Sequence, residues 1–250
     1  MVKDLFSEQA AEYALYRPVY PVSLVETFLP FVKERKMAWD GATGNGQAAR
    51  LLADFFDHVE ASDISDAQLN KAVSHPKIKY TESRSEETPY NDHIFDLITV
   101  AQAYHWMDFD AFHQEVQRVA KADAVIAVWG YGLVRCEDRE IDKMIRNFYT
   151  GTMGPYWDPE RKFIDEKYQT VPFPYEILVN TNFDFNVTWN INQLCGYLNS
   201  WSSVRNFIKK EGTNPVELFC VAMKEVWQEK TARNFTFPIF LKAGKVNKSS

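Results

Sequence analysis

Small or polar residues follow four apolar stretches of this sequence, each at the point where a strand would end. The loop at residues 40–46 follows the first stretch, Asp63 closes the second, Ser85 and Glu86 follow the third, and residues 101–106 follow the fourth. Small residues let a backbone approach a ligand closely, and a carboxylate accepts hydrogen bonds from sugar hydroxyls. Together they predict a site for a ligand that carries a ribose, either a dinucleotide or an adenosyl compound.

The elements that would position these residues alternate between strands and helices. Strands are predicted at residues 37–40, 58–63, 77–82, 95–100, 124–129, 183–189 and 235–243. Helices are predicted at residues 47–53, 66–73, 109–120, 137–150, 191–200, 203–210 and 215–230. Repeated βα units with apolar strands indicate an α/β fold, with a parallel sheet and helices on both of its faces. In such sheets ligands bind beyond the carboxyl ends of the strands, where all four groups would lie.

Length, charge and composition narrow the class of protein. The 250 residues suffice for one large α/β domain, or for a smaller one with a substantial insertion. The net charge of −6 argues against a nucleic-acid partner, because phosphate-binding surfaces are usually basic. The N-terminus lacks an apolar signal core and no apolar run is long enough to span a bilayer, so we expect a cytoplasmic protein without a membrane partner.

The three cysteines predict neither a metal site nor a cross-link. Cys136, Cys195 and Cys220 are odd in number and far apart, and their spacing is not that of a zinc site or a disulfide framework. We therefore expect reduced and mostly buried thiols. No cluster of His, Cys and Asp has ligand spacing, so no metal is expected.

Three motifs together resemble the class I S-adenosylmethionine-dependent methyltransferases. The sequence DGATGNG at residues 40–46 is similar to that family's D/E-x-G-x-G-x-G loop, Asp63 follows strand two, and SEETPY at residues 85–90 is similar to its loop after strand three. The chain departs from the pattern at Ala42, which replaces the first glycine, and at Arg84, where an acid is common.

The resemblance implies a fold, a cofactor and a domain arrangement. The fold would be a Rossmann-like, seven-stranded, mostly parallel sheet whose last strand is antiparallel, with a helical cap in the C-terminal half. The cofactor would be S-adenosyl-L-methionine, leaving as S-adenosyl-L-homocysteine. Residues 1–250 would form a single domain, with an N-terminal helical lid at 1–35, a cofactor-binding core at 36–132, a cap at 133–232 and a final strand and tail at 233–250.

A narrower resemblance concerns the methyl acceptor. The segments at residues 17–21, 101–106 and 196–203 are similar to the small-molecule branch, with a methyltransferase type 11 core, that includes trans-aconitate methyltransferase. This resemblance implies a small-molecule acceptor, with a carboxylic acid as one candidate. It implies in-line attack by that acceptor on the sulfonium methyl group, in a protein that is a monomer or a homodimer.

The resemblance also assigns residues to three groups. The residues expected to bind the cofactor are Arg17, Asp40, Gly41, Ala42, Gly44, Gly46, Asp63, Ile64, Ser85, Glu86, Ala101 and Gln102. The residues expected to line the substrate pocket are Tyr13, Tyr16, Tyr20, His105, Trp106, Trp129 and Tyr131. The residues expected to act in catalysis are His105, Gln102 and Trp106. If the nucleophile is a carboxylate, His105 only orients it; if it is a hydroxyl, an amine or a carbon acid, His105 is the candidate base.

Two other functions compete with this one. Gly44-x-Gly46-x-x-Ala49 also fits the dinucleotide fingerprint, which would make the protein a nucleotide-dependent oxidoreductase. Asp40 counts against that alternative, because its charge would face a pyrophosphate. The change at Ala42 leaves room for a non-catalytic protein that only binds S-adenosylmethionine.

Overall fold

A computed structural model describes residue 17, residues 19–228 and residues 231–247. The strands are β1 (Met37–Gly41), β2 (His58–Asp63), β3 (Ile78–Glu82), β4 (Phe95–Ala101), β5 (Ala120–Tyr131), β6 (Arg135–Cys136), β7 (Glu176–Trp189) and β8 (Arg233–Lys245). The α-helices are α1 (Val22–Phe28), α2 (Gln47–Leu52), α3 (Asp66–Leu69), α4 (Phe109–Val119), α5 (Arg139–Asn147), α6 (Arg161–Asp165), α7 (Ile191–Asn199), α8 (Ser202–Glu211) and α9 (Pro215–Trp227). The predicted pocket residues Tyr13 and Tyr16 lie outside the described residues.

The strands form one sheet, in the order β3-β2-β1-β4-β5-β8-β6, with β7 paired to β8. Strands β1 to β5 are parallel, and β8 runs antiparallel to β5, β6 and β7. The Rossmann-like, mostly parallel sheet with an antiparallel last strand is thus confirmed. The described residues add an eighth strand to the predicted seven, because the two-residue β6 pairs with β8 and is too short to leave a periodic pattern.

Each face of the sheet is covered, so the prediction of helices on both faces is also confirmed. One apolar cluster gathers α1, α2 and the cap helices, while the other gathers α4 and the segment around Ile164–Tyr175. The central strand β4 is buried along almost its whole length, which explains why most of its residues are apolar; Asp96 and Thr99 are its two buried polar residues. Because helices and loops cover both faces of the sheet, the space available to a ligand lies at the carboxyl ends of the strands.

The cap, residues 133–232, is held together by contacts between aromatic rings and by one disulfide bond. Phe148 stacks on Trp201 at 6.1 Å between ring centroids and tilts against Phe219 at 4.6 Å. Cys195 of α7 is disulfide-bonded to Cys220 of α9, with 6.2 Å between their Cα atoms. The prediction of three reduced thiols is therefore wrong, because the packing of two helices brings together residues that the sequence separates by 25 positions.

None of the described helices combines the length and apolar character needed to cross a bilayer.

Candidate active site

Asp40 lies beneath the loop that follows β1 and holds it in place. Its side chain is fully buried and accepts hydrogen bonds from the Thr43 hydroxyl at 2.5 Å, the Ala49 backbone N–H at 3.1 Å and the Thr99 hydroxyl at 2.8 Å. Burial raises the pKa of this carboxyl to about 6, although the three hydrogen bonds oppose the rise. Asp40 thus stabilises the loop from inside the sheet.

The loop turns through backbone conformations that glycine adopts easily. Ala42, Gly44 and Gly46 have φ of 51°, 58° and 84°. At Gly46 a Cβ atom would also overlap the Tyr80 hydroxyl, so this glycine is required by packing. Ala42 adopts the left-handed conformation although it carries a Cβ atom. This conformation is unfavourable for residues with a Cβ atom and is adopted easily by glycine.

Asp63 ties the loop to the end of β2. One carboxylate oxygen accepts from the Gly44 N–H at 2.8 Å, and the other accepts from the Ser65 N–H at 2.9 Å. A carboxylate accepts hydrogen bonds only, which suits it to the hydroxyl groups of a sugar. The side chain lies in the wall of a large cavity.

This large cavity has a volume of about 610 Å³ and opens at the carboxyl ends of β1 to β4. Among the predicted cofactor-binding residues, those that line it are Ala42, Gly44, Asp63, Ile64, Ser85, Glu86, Ala101 and Gln102. Tyr20, predicted for the substrate pocket, lines it too. The volume falls within the range typical of pockets for cofactors and drug-sized ligands.

Four predicted cofactor-binding residues do not line the large cavity, and one of them, Arg17, is described below. Asp40 is enclosed by its three donors, Gly41 continues β1 in register with Ser62, and Gly46 is packed against Tyr80. Asp40, Gly41 and Gly46 shape the loop from behind, and their part in binding the cofactor stays a prediction.

Part of the wall of the large cavity consists of residues outside the predicted set. Thr43, Asn45 and Gln47 belong to the loop or follow it, so their exposure could have been inferred from it. Residues 158–160 come from the C-terminal half and close the opposite side. That segment has no periodicity, so its sequence carried no signal of where it would lie.

A second, small cavity of about 40 Å³ adjoins the first, since Gln102 and Trp106 line both. Its lining consists of Arg17, Gln102, His105, Trp106, Trp157, Arg161, Tyr197, Trp201 and Ser202. It therefore contains two guanidinium groups and three indole rings, and no Asp or Glu is among the described residues that line it.

Arg17 lines this small cavity and not the large one, and its contact with the cofactor stays a prediction. One terminal nitrogen donates to the Tyr131 hydroxyl and the other to the Ser200 carbonyl oxygen at 2.9 Å. The guanidinium carbon also lies 5.5 Å from the centroid of the Tyr197 ring. Tyr131, predicted for the substrate pocket, thus contributes by holding Arg17 and lines neither cavity.

Arg161 was not predicted, and its guanidinium is oriented by neighbours on one side only. Its Nε donates to the Tyr149 hydroxyl at 2.8 Å and lies 3.7 Å from Asp165, and its guanidinium carbon is 4.7 Å from the Trp157 ring centroid. Both polar contacts use Nε. Within the described ranges, no protein acceptor meets the two terminal nitrogens.

Trp129 lies in the core, so its prediction as a pocket residue is wrong. The ring is fully buried, with Tyr20 packed edge-on at 5.6 Å and Phe28 stacked at 6.2 Å between centroids. The ring belongs to the apolar cluster that α1 and the cap helices cover, and it lines neither cavity.

Gln102 is engaged with the backbone of the neighbouring strand. Its φ is 54°, its Oε1 accepts from the Tyr131 N–H at 2.7 Å, and its Nε2 donates to the Tyr131 carbonyl oxygen at 3.3 Å. The amide oxygen and one of the two amide hydrogens are therefore engaged by the protein. This geometry makes Gln102 a clamp between the ends of β4 and β5, and its catalytic role stays a prediction.

His105 and Trp106 lie on a short helical turn directly after β4, and their rings are 4.8 Å apart. His105 is buried, and its Nδ1 lies 3.0 Å from the Tyr168 hydroxyl. Burial, aided by the nearby charge of Arg161, lowers the pKa of His105 to about 3. The imidazole is therefore neutral at pH 7 and a weak base.

Comparison with known proteins identifies the family. A sequence profile of the methyltransferase domain matches residues 39–128. The solved structure of a protein from Anaeromyxobacter dehalogenans, assigned as a type II methyltransferase, is 33% identical, with a TM-score of 0.83 over 94% of this chain and 100% of that one. The chain belongs to the class I S-adenosylmethionine-dependent methyltransferases.

Two other relatives align with most of the length of this methyltransferase. A protein of Dictyostelium discoideum, assigned to the methyltransferases, is 27% identical over 95% of this chain and 93% of its own length. A protein of Saccharomyces cerevisiae, assigned as an S-adenosylmethionine-dependent methyltransferase, is 23% identical over 87% of this chain and 88% of its own length. Membership of this family rules in favour of a methyltransferase over the nucleotide-dependent oxidoreductase considered above. The narrower resemblance to the trans-aconitate branch stays a prediction.

The large cavity of this methyltransferase fits an adenosyl amino acid by its chemistry. Its wall offers an acid at the end of β2, the backbone of Gly44 with open space on its Cα, and the polar side chains of Ser85 and Glu86. These are groups that can accept from ribose hydroxyls, approach a charged amino acid end and meet the edge of a base.

Proposed function

We propose that this methyltransferase transfers a methyl group from S-adenosylmethionine to a carboxylate oxygen of a small molecule. The observation that carries the proposal is the small cavity, where Arg17 and Arg161 meet three indole rings and no acidic side chain among the described lining residues. Planar guanidinium groups are suited to carboxylates. A volume of about 40 Å³ admits a group of that size, so only the carboxylate would lie there.

The residues of the large cavity would hold the cofactor. Asp63 would accept from the ribose hydroxyls, Ser85 and Glu86 would surround the adenine, and the backbone at Ala42 and Gly44 would face the amino acid end. When bound, S-adenosylmethionine would supply a methyl group whose bond to the positively charged sulfur breaks as the nucleophile bonds to the methyl carbon, so that S-adenosylhomocysteine leaves.

The residues of the small cavity would position the acceptor. Arg161 would bind one carboxylate oxygen through its terminal nitrogens, and the other oxygen would face the junction at Gln102 and Trp106, where the two cavities meet. The indole rings would keep water out, which favours reaction of the aligned partners. A carboxylate is already ionised at neutral pH, so no group has to remove a proton, in keeping with the lowered pKa of His105.

The test separates binding of the cofactor from choice of the acceptor. Benzoate, phenylacetate and succinate are each offered with S-adenosylmethionine, beside the alcohol and amine of the same skeleton, and formation of S-adenosylhomocysteine is measured. Turnover with carboxylates alone supports the proposal. Turnover with alcohols or amines alone overturns it, and binding of S-adenosylhomocysteine without turnover of any acceptor favours the non-catalytic alternative.

Two variants assign the cavities. Arg161→Gln should raise KM for an accepted carboxylate at least tenfold, because a hydrogen bond to a charged group contributes about 1.5–3 kcal/mol, and should leave the affinity for S-adenosylhomocysteine unchanged. Asp63→Ala should do the reverse. Arg135→Gln, at a half-exposed ion pair with Asp184, is the control and should change neither.

A further inference from the structure

The chain after α6 is bent to bring one tyrosine into the protein. Lys167 and Tyr168 both have left-handed backbones, with φ of 52° and 56°, which is unfavourable for non-glycine residues. The turn is held by a hydrogen bond from the Tyr168 N–H to the Phe163 carbonyl oxygen at 2.8 Å and by the Lys242 ammonium, which donates to the Tyr168 carbonyl oxygen. These contacts fix where the phenol ring lies.

The Tyr168 side chain is fully buried, and its hydroxyl reaches His105. The ring packs edge-on against Tyr104 at 5.6 Å and Phe240 at 4.9 Å, and its oxygen lies 3.0 Å from His105 Nδ1. Burial raises the pKa of Tyr168 and lowers that of His105, so both groups are neutral at pH 7. The Tyr168 hydroxyl and His105 Nδ1 are therefore joined by one hydrogen bond between neutral groups.

The position of that hydrogen follows from counting donors and acceptors. If Nδ1–H donated to the phenol oxygen, the buried O–H of Tyr168 would have no acceptor among the described residues, at a cost of about 1–3 kcal/mol. If the O–H donates to Nδ1, both groups are satisfied.

We propose that Tyr168 is a positioning residue that fixes His105 as the Nε2–H tautomer, with Nε2–H as a hydrogen-bond donor to the small cavity. A neutral imidazole carries one hydrogen, so an acceptor nitrogen at Nδ1 requires Nε2 to be the donor. His105 lines that cavity with Arg17 and Arg161, and Nε2 has no protein partner within the described ranges. His105 then adds a donor for an anion and does not serve as a base.

The hydrogen bond from His105 to the methyl acceptor rests on the proposed function, whereas the tautomer of His105 does not. The tautomer is read without cofactor or acceptor, by long-range ¹H–¹⁵N correlation spectra of protein labelled with ¹⁵N-histidine. The chain has five histidines, and loss of one signal in His105→Gln identifies the one of interest. A protonated Nε2 with an unprotonated Nδ1 supports the proposal, and a protonated Nδ1 overturns it even if no variant folds.

The variant Tyr168→Phe tests whether the hydroxyl sets the tautomer. We expect the His105 signals to change from one tautomer to a mixture of both; an unchanged Nε2–H tautomer overturns the role of Tyr168. Tyr175→Phe is the matched control, because the Tyr175 hydroxyl lies 2.7 Å from His113 Nδ1. It should change the signals of His113 and leave those of His105 as they are.

Acetate, added with S-adenosylhomocysteine present, probes the donor role. We expect a shift of the His105 Nε2–H signal in the wild type and an apparent dissociation constant for acetate about two- to tenfold higher in Tyr168→Phe, as loss of one ordinary hydrogen bond implies. Absence of any response at Nε2 overturns the donor role. Failure of the proposed function would appear separately, as absence of carboxylate turnover with the tautomer intact.

Discussion

Ala42 places a side chain where the family's loop has its first glycine, and its φ of 51° lies in the left-handed region. A Cβ atom in this conformation costs about 1–2 kcal/mol. Because Ala42 also lines the large cavity, its methyl group occupies space beside the expected cofactor. The departure from the family pattern is therefore a cost in backbone energy that the loop tolerates.

We expect Ala42→Gly to raise the free energy of unfolding by about 1 kcal/mol, since it removes this unfavourable contact. Urea denaturation monitored by tryptophan fluorescence measures the change. Ala222→Gly, on the exposed side of α9, is the control and should lower the same quantity by about 1 kcal/mol. A loss of stability in Ala42→Gly would contradict the strain inferred from its φ.

At the scale of the elements, Gln102 at the end of β4 lines both cavities and is held by the end of β5. Gln102 crosses from one strand to the backbone of the other, and Gly130 leaves the space that this side chain needs. A Cβ atom on Gly130 would lie 2.6 Å from Phe240 Cζ and 2.9 Å from Gln102 Oε1. The site therefore depends on a glycine that does not line it.

Gly130→Ala should lower the free energy of unfolding by about 1–3 kcal/mol through overpacking, and should raise KM for the acceptor because Gln102 has to move. The matched control is Gly132→Ala, whose Cβ atom would meet only Pro238 Cγ at 3.4 Å. That variant should stay close to the wild type in both measurements. Equal effects of the two variants would contradict the clamp.

At the scale of the whole molecule, the disulfide joins two cap helices that lie far apart in the chain. Cys195 and Cys220 close a loop of about 25 residues, and Tyr197, on the same helix as Cys195, lines the small cavity. The cross-link thus connects the stability of the cap with the placement of the site.

Replacing both cysteines with serine should lower the free energy of unfolding by roughly 3–4 kcal/mol, the effect of losing a cross-link over a loop of this length. Cys136→Ser, at the half-buried free thiol, is the control and should cost less. Alkylation of the denatured, unreduced wild type should modify one cysteine. Modification of all three would show that the disulfide does not form.

The sequence by itself determined the parallel core and half of the large cavity. An unbroken apolar run marks β5 at residues 124–129, mixed apolar and polar residues mark β1 to β4, and the carboxyl ends of parallel strands meet at one edge of a sheet. The loop after β1, Asp63 and Ser85 therefore had to lie near one another. Each of these inferences depends only on local pattern and on the direction of neighbouring strands.

The tertiary structure decided which of these residues face the cavity. Asp40 and Asp63 both stand at strand ends, yet Asp40 pairs in register with Ala61 and Thr99, inside the sheet, whereas Asp63 lies two residues farther along. Arg161, Tyr168 and the disulfide come from segments whose position depends on packing across the whole chain. A local pattern fixes the direction of a strand, but contacts between residues far apart in the chain depend on register and packing, which only the folded chain sets.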